Sequence, residues 1–281
     1  MRGVLLLVLL LGCDRPPVPA GPTILRTDAR GKRVAVPVSP RRIVSLAPST
    51  TELLFAVGAG GQVAGVTTYC DWPPEAAAKP KVGNIVLDYE KIAALDPDLI
   101  LSAGTLNQQG TQTLEGKGFP VFAVDPGTFE EIGQALELVG EMTGHPREGS
   151  RAAEALRARV RAVVPGPGPS FYFEYSADPL GTTGPDTYLG RALALAGGKN
   201  VFEGAWRNRI DWETVLQRDP EVLLIAHDRR EGLERRAGWK ELRAVKAGRV
   251  YFVAKDHYVY PTPRLAEGLE EAARLFREAR K

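Results

Sequence analysis

One stretch of this 281-residue chain occurs twice, in the same order and without a gap. Asp88-Tyr89-Glu90, Ile92 and Asp96-Pro97-Asp98-Leu99-Ile100 return as Asp211-Trp212-Glu213, Val215 and Asp219-Pro220-Glu221-Val222-Leu223. Each copy reads as one helix followed by one strand. The first aspartate is placed to cap a helix, the glutamate falls in its first turn, the proline stops it, and a buried apolar run follows. Dipole and stop-signal chemistry explain each copy singly, but not why the two halves match. The duplication constrains the chain to two related αβ units. An acidic residue at a matching surface point of each suits a partner of approximate two-fold symmetry.

The segments around the repeat fit that plan. Thr23 to Val38 reads as a hairpin turning at Ala29-Arg30-Gly31-Lys32. Strands are expected at Ile43–Leu46, Gln62–Val66, Leu99–Ser102 and Val121–Val124, with helices at Thr50–Val57, Asp88–Leu95 and Thr111–Lys117. Ser49 and Glu52 have the spacing of a capping box opening the first of these helices. Helices over Phe129–Thr143 and Arg147–Val164 then follow in succession, the second roughly 27 Å long. Pro165-Gly166-Pro167-Gly168-Pro169 ends it, and a second alternation runs from Phe171 to a final helix over Pro263–Arg280. The fold expected is α/β: two Rossmann-like lobes with parallel sheets joined by a long α-helix.

The N-terminus indicates export. Arg2 precedes eight apolar residues, Val4 to Leu11, too few to span a bilayer but sufficient for the core of a secretory leader. Leu10-Leu11-Gly12-Cys13 resembles a bacterial lipobox, in which Cys13 is acylated; the alternative is a plain leader with an incidental cysteine. Four prolines between Asp14 and Pro22 read as an extended tether. Residues 1–12 are thus expected to be the leader and 13–40 a lipid-anchored tether with the hairpin. Residues 42–281 form the remaining domain, with an N-lobe at 42–145, a connecting helix at 146–164 and a C-lobe at 168–281. The expected location is the periplasm or the outer face of the cytoplasmic membrane, held by lipid alone.

Several function classes find little support. A net charge of +2 without a basic stripe argues against nucleic acid as a partner. The three histidines, His145, His227 and His257, show no metal-ligand spacing, so no metal site is expected. Ala47-Pro48-Ser49-Thr50 is not a nucleophile elbow, Cys70 beside Asp71 lacks a placed base, and no phosphate loop or dinucleotide fingerprint is present. No catalytic residue and no cofactor are expected.

In open parallel sheets, ligands sit beyond the carboxyl ends of the strands. The loops at those ends include Pro48-Ser49-Thr50, Thr67–Trp72, Ser176–Gly184, Ala226-His227-Asp228 and Asp256–Tyr260. They carry Tyr69, Trp72, Tyr258 and Tyr260, with Trp206 nearby, which suits a wide, flat, partly apolar ligand. Each aromatic has core packing as its alternative, and Trp72 beside Pro73-Pro74 could brace a turn. Asp256 could accept hydrogen bonds from a ligand or cap a turn. His257 could ligate an iron or pack.

Arg42 to Glu52, Tyr69-Cys70-Asp71-Trp72-Pro73-Pro74-Glu75 and both copies of the repeat resemble the class III periplasmic binding proteins of ABC importers, and the similarity runs to the C-terminus. The resemblance implies a monomeric solute-binding protein that delivers its ligand to a permease dimer with its ATPase. Its vitamin B12-binding branch is nearest and implies a cobalamin; a haem or ferric siderophore is the alternative, and a lipid-anchored hydrolase a distant one. By position, the resemblance implies that Glu90 and Glu213 dock onto permease arginines and that Tyr69 and the loop Asp256-His257-Tyr258 contact the ligand; the strand-end loops add Ser49 and Trp72, with Trp206, as candidate ligand residues. The branch's N-lobe tryptophan is Ile85 here, Trp206 supplies the C-lobe one only with a shift of one residue, and its C-lobe phenylalanine falls near Leu180 and Gly181.

Overall fold

The computed structural model describes residues 21–104, 108–202, 210–229 and 231–279. Cys13 with the leader and most of the tether, and Trp206, lie outside the described residues.

Strands β1 (Thr23–Thr27) and β2 (Arg33–Pro37) form the antiparallel hairpin. The first αβ unit follows as β3 (Ile43–Ser45), α1 (Pro48–Ala56), β4 (Val63–Val66), α2 (Pro74–Ala77), α3 (Tyr89–Ala94), β5 (Leu99–Ser102), α4 (Gln108–Gly116) and β6 (Val121–Ala123). Its four strands lie parallel in the order β4-β3-β5-β6. Every residue of β3, β5 and β6 is buried, as expected of short apolar runs covered on both faces.

Helices α5 (Phe129–Thr143) and α6 (Pro146–Ala162) come next. They are an antiparallel pair rather than a free rod. A Cβ on Gly140 would come within 2.9 Å of the Gly149 Cα, so the two backbones nearly touch. Gly144 makes the sharp corner between them, at φ 83°.

The second unit contains β7 (Ser170–Ala177), β8 (Leu180–Thr182), α7 (Tyr188–Leu195), β9 (Lys199–Asn200), α8 (Trp212–Arg218), β10 (Val222–Ile225), α9 (Arg243–Lys246), β11 (Val250–Phe252) and α10 (Leu265–Glu278). Its sheet runs β11-β10-β7-β8, with β9 beside the opening of β7. Here β8 folds back antiparallel on β7, while β10 and β11 are parallel.

The two sheets share one apolar core. A single cluster runs from Ile43, Leu53 and Leu101 through Leu136 and Leu156 to Phe171, Leu193 and Phe276, passing between α1, α5, α6, α7 and α10. Separate clusters cover each sheet's other face: Val44, Ile92 and Ile100 on the first, Tyr172, Val215 and Leu223 on the second.

The sequence repeat has a three-dimensional counterpart. The carboxylates of Asp88 and Asp211 accept hydrogen bonds from the amides of Lys91 and Thr214 at 3.0 and 2.7 Å, capping α3 and α8. Beyond these helices, Asp96 and Asp219 take left-handed backbone conformations, φ 46° and 41°, just before Pro97 and Pro220. The next acid then fastens the neighbouring strand. Asp98 accepts from the amides of Arg41 and Arg42 at 2.7 and 3.0 Å, just ahead of β3, and Glu221 accepts from the amide of Ser170 at 2.8 Å, at the start of β7. Two of the four repeated acid pairs therefore fasten the fold by side-chain hydrogen bonds, whereas Glu90 and Glu213 lie exposed in the first turns of their helices.

The capping box expected at Ser49 does not form. Ala47 is the N-cap, without a side-chain hydrogen bond, and Pro48 opens α1. A proline suits that position because its φ is already helical and its missing N–H would have had no partner there. Glu52 turns instead toward the other half of the molecule.

Candidate functional site

The segments that follow β3 and β4 meet the segment that follows β11, and two residues join them directly. Arg264, just before α10, gives Nε and Nη2 to the Glu52 carboxylate of α1 at 2.9 and 2.6 Å. Both side chains are largely buried, with 14% and 4% exposed. The same guanidinium lies 4.9 Å from the centroid of the Trp72 ring. Trp72 is thereby held by a cation on one side while 46% of it remains exposed. Tyr69, from the same loop, is 52% exposed. Between them Cys70 points inward, 3.1 Å from the Thr67 hydroxyl; burial pushes its thiol up, which keeps it protonated and poorly nucleophilic.

On the facing side, a pocket of about 350 Å³ opens among Tyr175, Thr182, Thr183, Tyr188, Lys255 and Tyr260. Tyr188 is fixed by a hydrogen bond from its hydroxyl to the Val259 carbonyl. Burial raises the Tyr260 phenol to about 12, assisted by the charges of Asp71 and Asp256, so Tyr260 lies within electrostatic reach of the N-lobe loop that carries Tyr69 and Trp72.

Tyr258, expected to border the ligand, is instead in the core. It is 1% exposed, its ring is 5.3 Å from that of Phe173, and its hydroxyl donates to Glu271 at 2.9 Å. The short helical turn at Lys255–His257 rotates the loop so that Tyr258 points inward and Tyr260 outward. His257 lies 3.0 Å from Glu267 of α10. Asp256 is exposed and does not cap the turn, whose N-cap, Ala254, makes no side-chain bond. Ser49 is buried in the first turn of α1. Glu90 and Glu213 are both exposed in the first turns of α3 and α8.

One constellation had no signal in the sequence. Glu174, within β7 and fully buried, accepts two hydrogen bonds from Arg236, both at 2.7 Å, and one from Tyr172 at 3.0 Å. His227 Nε2 lies 2.7 Å from the same carboxylate. Arg236 also covers the Trp212 ring at 4.8 Å, and Trp212 stacks on Trp239. This network ties strand β7 and the segment after β10 to Trp212 at the start of α8, next to Glu213. Its members are scattered along the chain and meet only after folding. Among the described residues no group of three or more His, Cys, Asp or Glu could hold a metal ion, and no helix is long and apolar enough to cross a membrane.

Comparison with known proteins gives a consistent result. A family model described as periplasmic binding protein matches residues 43–257. An uncharacterized ABC transporter substrate-binding lipoprotein of Bacillus subtilis, YvrC, is 31% identical over 88% of this chain and 83% of its own length. A vitamin B12-binding protein of Vibrio cholerae is 30% identical over 88% of this chain and 93% of its own. The crystal structure of the periplasmic vitamin B12-binding protein BtuF of Vibrio cholerae superposes with a TM-score of 0.76 at 27% identity, covering 87% of this chain and all of that one.

Proposed function

Since the chain belongs to the periplasmic binding protein family, we propose that it is the substrate-binding lipoprotein of an ABC importer and captures a corrinoid of the cobalamin type between its two lobes. The observation that carries the ligand reading is Trp72, presented at the meeting of the lobes with Arg264 behind it and Glu52 behind Arg264. A half-exposed indole held in this way offers a large flat surface at low entropic cost to a macrocycle. Exposed Tyr69 extends it, and Tyr260 lies within reach of the charge of Asp71 from the same loop. The vitamin B12-binding relatives favour a corrinoid over other flat ligands.

In this reading Cys13 carries the lipid, the tether lifts the lobes from the membrane, and Glu90 and Glu213 meet the two halves of a permease dimer driven by its ATPase. Support for the docking role comes from their matched positions and exposure, and from the absence of any ion-pair partner among the described residues. The lobes divide at α5 and α6, whose tight pairing gives a stiff connection.

Size-exclusion chromatography with cyanocobalamin tests the ligand assignment. The expected result is near-stoichiometric co-elution of the corrin visible spectrum with the protein. Failure to bind any corrinoid at micromolar concentration would remove the assignment.

A further inference from the structure

The C-lobe pocket has a largely apolar wall into which Lys255, Tyr175 and Tyr260 bring hydrogen-bond donors. Lys255 lines it and has no ion-pair partner among the described residues. Thr182 also lines it, 1% exposed, with a buried hydroxyl that has no hydrogen-bond partner among the described residues. The phenols of Tyr175 and Tyr260 stay protonated, raised chiefly by burial, and so offer O–H groups. The amino-terminal turn of α7, with Thr187 and Tyr188, forms one wall and adds the positive end of its dipole. No acidic side chain lines the cavity; Asp71 and Asp256 act on Tyr260 from outside it. An ammonium and two phenols at the mouth of one cavity offer donors to acceptor atoms, and preferably to an anion.

We infer that this pocket is an oxyanion subsite of the cleft, which takes a carboxylate or phosphodiester arm of the captured molecule while its macrocycle lies on the aromatic surface outside. The inference rests on the corrinoid reading for the macrocycle but not for the pocket. A volume of about 350 Å³ admits such an arm and excludes the ring system itself. Specificity among flat ligands then depends on the arm. Cyanocobalamin carries a phosphodiester in its nucleotide loop, dicyanocobinamide lacks that loop, haemin carries two carboxylates, and haemin dimethyl ester has none.

Titration of these four compounds onto wild type, Lys255→Gln and Thr182→Val tests the subsite, with inorganic phosphate as a probe that needs no macrocycle. For a phosphodiester arm, Lys255→Gln is expected to weaken cyanocobalamin about tenfold and to leave dicyanocobinamide within about twofold. For a carboxylate arm, haemin weakens in the same way and its dimethyl ester does not. Phosphate is expected to shift the amide resonances of residues 182–188 in the wild type but not in Lys255→Gln. Equal losses for each compound and its armless analogue, with no Lys255-dependent phosphate shift, would overturn the subsite. A phosphate response in a protein that binds no corrinoid would instead overturn the corrinoid reading and retain the pocket.

Discussion

Arg264 and Glu52 stand 212 residues apart in the chain yet form a two-pronged ion pair at 2.6 and 2.9 Å, with Trp72 against the guanidinium. Nothing in the sequence pairs them, and Glu52 reads there as part of a capping box. The pair links helix α1 of one lobe to the start of α10 in the other and sets the floor of the cleft.

Removing one partner leaves the other buried and uncompensated. Arg264→Met or Glu52→Leu alone is expected to cost about 3–5 kcal/mol, and the double variant to recover most of that loss. Urea unfolding of the three variants measures it. A single variant losing less than about 1 kcal/mol would mean that solvent already screens the pair.

The two faces of the cleft loops separate packing from contact. Trp72→Ala is expected to weaken corrinoid binding at least tenfold with little loss of stability, because the ring is half exposed. Tyr258→Phe is expected to leave affinity unchanged while costing about 1 kcal/mol through the lost hydrogen bond to Glu271. Calorimetric titration alongside thermal unfolding distinguishes the two, and reversed effects would place the ligand elsewhere.

Reversal of both repeated glutamates, Glu90→Arg with Glu213→Arg, is expected to leave ligand affinity intact and abolish uptake by cells that depend on the importer. Exposed charges act weakly one at a time, so each single change is expected to give a partial defect. Parallel loss of ligand binding would assign the glutamates to the fold.

Asp28 anchors the hairpin to the first sheet. Its side chain is fully buried and accepts from Arg30 and from the amides of Arg30, Lys32 and Ala123. Burial alone would raise its carboxyl, but these donors outweigh it and hold the group below the ordinary aspartate range. The unfolded chain therefore takes up the proton first as pH falls. The stabilisation is complete above about pH 4–5 and is lost as pH drops through the folded value. Asp28→Asn is expected to be less stable than wild type at neutral pH, with the gap closing as pH falls below the ordinary aspartate range. Denaturant unfolding across that range checks it, and a gap that stays constant would contradict the assignment.

The duplicated αβ plan was legible in the chain because its signals are short-range. Aspartate caps, proline stops, buried apolar runs and the Pro-Gly break at residues 165–169 act over a few neighbouring residues and need no partner from elsewhere. The sequence also placed Glu90 and Glu213 at equivalent positions and located the loops that carry Tyr69 and Trp72. It did not determine which side chain of a loop turns inward. Tyr258 and Tyr260 look alike in sequence, and only packing against Phe173 and Glu271 sends the first into the core and leaves the second at the pocket. The Glu52–Arg264 pair, the Glu174 network and the pocket that joins Tyr175 to Lys255 and Tyr260 likewise arise from residues far apart in the chain. Their partners are chosen by how the two sheets close on a shared core, where an unpaired buried charge is costly and each must find its opposite.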